Sequence, residues 1–94
     1  MSLTRAKRTG YQDQIGILEA VLERRCQNAG KELKMKCEYA SDKLARAVEA
    51  LENEDEEATW LNLYHAASFC KTNGIEPLTA AGVVINADRI LEQA

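Results

Sequence analysis

Three cysteines and one histidine are the side chains of this 94-residue chain best suited to nucleophilic or metal chemistry: Cys26, Cys37, Cys70 and His65. A nucleophile needs a base within reach, and acid–base work needs a group whose pKa has been tuned by burial or by a neighbour. His65 and Cys70 stand five positions apart. On a helix that is a rotation of about 500°, so the two side chains leave the axis in well-separated directions. His65 also lies between Leu61 and Phe69 on an apolar stripe, where a neutral or hydrogen-bonded core imidazole is the ordinary expectation. Zinc needs three or four convergent ligands, and no CxxC spacing supplies them; only tertiary folding would gather these four residues. An odd, unspaced set of cysteines fits reduced, mostly core thiols of an intracellular protein.

Other chemistries find no seat. Gly10, Gly16, Gly30, Gly74 and Gly82 are scattered, and none opens a phosphate cradle after a strand. Paired carboxylates such as Glu54 with Glu57, or Asp55 with Glu56, sit in a solvated run without the apolar pocket that would raise one pKa. The expectation is a protein with no catalytic residues, no cofactor and no metal.

The elements that must carry these side chains are helical. From Tyr11 the apolar positions Tyr11, Ile15, Leu18, Leu22 and Cys26 recur at three and four residues, which puts them on one helical face. Residues 1–10, with Arg5, Lys7, Arg8 and a Thr9-Gly10 break, read as a flexible basic arm ahead of a single helical domain over 11–94. Leu33, Cys37, Ala40, Leu44, Ala47 and Leu51 form a second, heptad-like seam. Gly30, a turn after Arg24 and Arg25, suits a helix end with positive φ. The two seams also join in phase through Ala29, and one long helix over residues 11–51 would need a second chain to bury its stripe. Asn53 followed by Glu56 resembles a capping box for a third helix, and Pro77 suits the first turn of a last one. The predicted fold is all-α: a small bundle of three to four helices, or a dimer seam built on one long N-terminal helix.

Composition bounds the function classes. One proline and 46% hydrophobic residues place the chain among ordinary globular domains, and its apolar runs are far shorter than the roughly 20 residues of a membrane span. Polar Gln12, Asp13 and Gln14 follow the N-terminal cations where a secretory signal would be apolar, so a cytoplasmic location is expected. The net charge of −3 divides unevenly: residues 1–48 hold ten Lys/Arg against six Asp/Glu, residues 49–94 two against nine. Such an asymmetry either marks a partner surface or is neutralised where oppositely charged helices pack.

Met35 and Tyr39 stand one turn apart, off the apolar seam, among Lys34, Lys36, Lys43 and Arg46. Soft and amphipathic side chains in that setting make a candidate protein-binding surface. The leading expectation is a non-catalytic helical modulator or inhibitor of a protein partner, itself a homodimer. One alternative is a nucleic-acid-associated protein using the basic half on phosphates, although an acidic chain with so few aromatics fits that poorly. Another is an acidic phosphate mimic, of the kind mobile elements encode, presenting Glu54, Asp55, Glu56 and Glu57 to a nucleic-acid-binding protein.

Overall fold

Thr4 begins the first helix: its hydroxyl accepts the Lys7 backbone N–H at 3.2 Å and so satisfies one of the donors a helix start leaves unbonded. The computed structural model describes residues 3–93, which form α1 (Arg5–Cys26), α2 (Lys31–Glu52), α3 (Glu56–Thr72) and α4 (Pro77–Glu92), with no strand among the described residues. Residues 5–10, expected as part of a basic arm, are the first turns of α1. The buried Lys7 and a close crossing at Gly10 hold them. A Cβ built on Gly10 would stand 2.9 Å from Ile90 Cδ1, so this glycine is where α1 meets α4 and not a break. Met1 and Ser2 of the expected arm, and Ala94 of the expected domain, lie outside the described residues.

Residues 11–51 are two helices. The left-handed residue between them is Asn28, at φ 62°, while Gly30 sits in extended conformation as the N-cap of α2. The expected positive φ therefore falls on the other residue of the turn that tolerates it, since the Asn side chain can bond locally. The long-helix alternative, with its intermolecular seam, is not what the chain adopts: Cys37, Ala40, Leu44, Ala47 and Leu51 are buried against the chain's own helices.

The ends of α2 and α3 share one construction. After α2, Asp55 N–H bonds Ala50 C=O at 2.9 Å and Glu54 N–H bonds Leu51 C=O at 3.0 Å. After α3, Ile75 N–H bonds Cys70 C=O at 2.9 Å and Gly74 N–H bonds Lys71 C=O at 3.5 Å. Both are Schellman caps, with a left-handed residue at the pivot: Glu54 at φ 57° in one, Gly74 at φ 74° in the other. The expected capping box from Asn53 to Glu56 does not form. Asn53 closes α2, and Asp55 caps α3 by accepting Ala58 N–H at 3.1 Å, because the Schellman turn consumes the two residues before it. Pro77 opens α4 as expected.

Each helix runs antiparallel to its neighbours around a square. Tyr39 meets Phe69 between α2 and α3, Trp60 bonds Asp88 between α3 and α4, and Gln14 with Asn86 and Gly10 with Ile90 join α1 to α4. Tyr11, Leu18, Val21, Leu63, Ile75 and Val83 fill the centre, each at most 2% exposed. This is an up-down-up-down arrangement, in which a stripe on every helix turns inward.

Candidate partner-binding surface

Part of the charge division along the sequence is spent between the helices, where Lys7, Arg8, Arg24 and Arg25 meet Glu54, Glu56 and Glu76. At one end of α1, Lys7 Nζ donates to both Glu56 oxygens at 3.0 and 2.9 Å and to Leu91 C=O at 3.4 Å. The fully buried Tyr11 donates its hydroxyl to Glu56 Oε2 at 2.9 Å. Burial first, then the hydrogen bond and charge of Glu56, hold the Tyr11 phenol protonated far above its ordinary range. Arg8 Nη2 reaches Glu54 at 3.2 Å. At the other end, Arg24 Nε and Nη2 form two bonds of 2.8 Å with Glu76, and Arg25 adds one of 3.1 Å. The Arg24 hydrogen bond lowers the Glu76 carboxyl to about 2 against the opposing effect of its burial, with Arg25 assisting.

Glu54 is paired with Arg8, Asp55 caps α3 and Glu56 holds Lys7 and Tyr11, so three of the four carboxylates expected to face a partner serve the fold. Glu57 is exposed and makes no hydrogen bond or ion pair among the described residues.

The thiols converge without becoming reactive. Cys70 is fully buried and Cys37 nearly so, while Cys26 at the end of α1 is half-buried. Burial first, then a hydrogen bond with Cys37, pushes the Cys26 thiol up to about 12, and burial pushes Cys70 up to about 11. Thiols so placed stay protonated at neutral pH and are poor nucleophiles. His65 is exposed on the outside of α3, not in the core as expected, because Ala66, Leu63 and Cys70 take the inward positions. Cys70 and His65 therefore share no site. Among the described residues no three His, Cys, Asp or Glu side chains are arranged to hold a metal ion, and no helix is long and apolar enough to cross a membrane.

Met35 and Tyr39 are 62% and 48% exposed on α2. The Tyr39 ring packs on Phe69 of α3, centroids 4.4 Å apart, and Lys43 Nζ stands 5.6 Å from the Tyr39 ring centroid. Tyr39, His65, Ser68, Phe69, Thr72 and Asn73 line an open cleft of about 320 Å³. Lys36 pairs within its helix with Glu32 at 3.6 Å, and Arg46 with Asp42 at 3.3 Å. Phe69 and His65 were not legible as surface residues, since their stripe reads as core until α2 is seen to cover only one edge of it. Glu76 gave no local signal either, because its partners lie some fifty positions earlier in the chain. Comparison of the chain with family models, with curated proteins and with solved structures gave no match.

Proposed function

We propose that this chain is a non-catalytic helical protein of the cytoplasm that modulates a protein partner, engaging it through the α2–α3 face centred on Tyr39. The observation that carries the reading is the aromatic pair Tyr39–Phe69, supported from below by the bundle yet left half open beside an exposed methionine. Large, preorganised amphipathic rings lose little entropy on binding and dominate interface energetics. The cations around them without an ion pair among the described residues, Lys34 and Lys43, favour a partner that inserts an apolar side chain flanked by carboxylates. A nucleic-acid reading draws less support, because Lys36 and Arg46 already have in-helix partners. The phosphate-mimic reading draws less support, because Glu54, Asp55 and Glu56 already have partners within the fold.

The test is affinity capture by the wild-type chain beside Tyr39→Ala and Met35→Glu, with thermal melts to show that both variants stay folded. A partner held by the wild type should bind at least about tenfold more weakly to Tyr39→Ala, the scale of one interface anchor. Equal retention by all three proteins would remove this face from the function.

A further inference from the structure

Helix α4 carries no charged residue from Pro77 to Ala87, although it lies at the surface of the bundle. Its core side is Ala80, Val83, Ala87 and Ile90. Opposite them stand Leu78, 89% exposed, and Ile85, 52% exposed, two turns and about 10 Å apart. Ala81 and Gly82 lie between and are lower. Ile17 of the neighbouring α1, also exposed, stands at a level between the Gln14–Asn86 and Arg24–Glu76 bonds. A helix that is apolar on nearly every side belongs in an interior.

We infer that the outer face of α4 binds a second copy of this chain, antiparallel, about a two-fold axis near Ala81 and Gly82. The face is self-complementary: with the axis there, Leu78 of one copy lies beside Ile85 of the other, and each ridge enters the hollow between its counterparts. A Cβ on Gly82 would meet nothing within 4 Å, so the hollow is open. Glycine inside a helix costs about 1 kcal/mol relative to alanine. Ile90 accounts for Gly10, whereas Gly82, like Gly16 of α1, meets no neighbour in the chain; at Gly82 the open space lies between Leu78 and Ile85, where another helix fits.

The charges select the orientation. The first turn of α4 has no acid and no side-chain cap, and the carboxylate at its N-cap, Glu76, is turned to Arg24 and Arg25, so the positive end of the dipole has room for a further acid. The exposed Glu92 closes the same helix. Antiparallel pairing carries Glu92 of each copy past the start of the other's α4, toward the exposed Lys71, and Arg89 over the turn that holds Glu76. Parallel pairing would set Glu92 against Glu92. The exposed apolar patch, on the order of 300 Å², is the centre of an interface. A stable dimer buries roughly 800 Å² per partner, so the flanks of this helix, about 24 Å long, must join the patch in the interface.

The experiment is solution mass by light scattering over a dilution series, for the wild type, Leu78→Glu, Ile85→Glu and Tyr39→Ala, with circular dichroism on each. The wild type and Tyr39→Ala should weigh twice the 10.5 kDa chain at high concentration, and both Glu variants should stay monomeric with unchanged helicity. The dimer should persist at about 1 M NaCl, where exposed ion pairs are screened. A wild type that is monomeric at every concentration, a dimer indifferent to both Glu variants, or one dissolved by salt would overturn the inference. Tyr39→Ala separates this outcome from failure of the α2–α3 reading, because that variant alters the other face alone.

Discussion

The two ends of α1 use the same device with different consequences. At each, a glutamate held in left-handed backbone, Glu54 at φ 57° and Glu76 at φ 43°, reaches back to arginine on α1. Glu54 makes one 3.2 Å contact with its side chain 43% exposed. Glu76 takes three contacts of 2.8 to 3.1 Å from two guanidinium groups with its side chain 12% exposed. Exposed single contacts gain little over solvation, whereas forked and partly buried ones fix geometry as well as energy. Local backbone strain is thus strongly compensated at one turn and weakly at the other.

The largest effect should come from removing what lies beneath the weaker end. Glu56→Ala leaves the Tyr11 hydroxyl and the Lys7 ammonium, 0% and 11% exposed, without their shared acceptor. Stranding a mostly buried cation and a phenol costs about 3 kcal/mol, or roughly 15 °C in Tm for a domain of this size. The double variant Lys7→Met, Glu56→Leu should recover most of that, since it strands no charge. A Glu56→Ala protein that melts within about 3 °C of the wild type would mean that this end is held by packing alone.

The Glu76 end should reveal itself through pH. Its carboxyl is lowered from the ordinary 4.5 to about 2, chiefly by the Arg24 hydrogen bond. A lowered carboxyl contributes stability that is complete above about 4.5, declines as pH falls through that window, and is lost below about 2. Denaturant unfolding of the wild type and Glu76→Gln should therefore differ most between pH 5 and 7 and converge toward pH 2. A gap that does not change with pH would show that the carboxylate charge contributes nothing.

How far the sequence could be read follows the same division between local and long-range causes. The stripes on α1 and α2 and the Pro77 start are short-range patterns, and the helices carry them as expected. Gly10 and His65 were misread because each depends on a neighbour distant in sequence: Ile90 turns a helix breaker into a crossing point, and α2 covers Phe69 while leaving His65 outside. The acidic run read first as a helix start and second as a recognition patch, and its pairing with Lys7, Arg8 and Tyr11 rests on residues more than forty positions away. Met35 and Tyr39 were legible as surface residues because they fall off a clear seam, but their aromatic support on α3 was not.

The smallest effect is the most discriminating, because the same substitution should have opposite signs at the two glutamates. Glu54 occupies the pivot of a Schellman cap, the position that Gly74 fills at the end of α3. A non-glycine residue in left-handed backbone costs about 1 kcal/mol, and the exposed pair with Arg8 returns at most about as much. Glu54→Gly should leave stability unchanged or raise it, by up to about 5 °C in Tm. Glu76→Gly gains the same backbone relief but leaves Arg24 and Arg25 without the carboxylate that ties α1 to the α3–α4 turn, and its Tm should fall. Thermal melts at neutral pH decide the matter. If both variants rise, the Glu76 clamp does not offset its own strain; if both fall, the Arg8–Glu54 contact is worth more than its exposure implies.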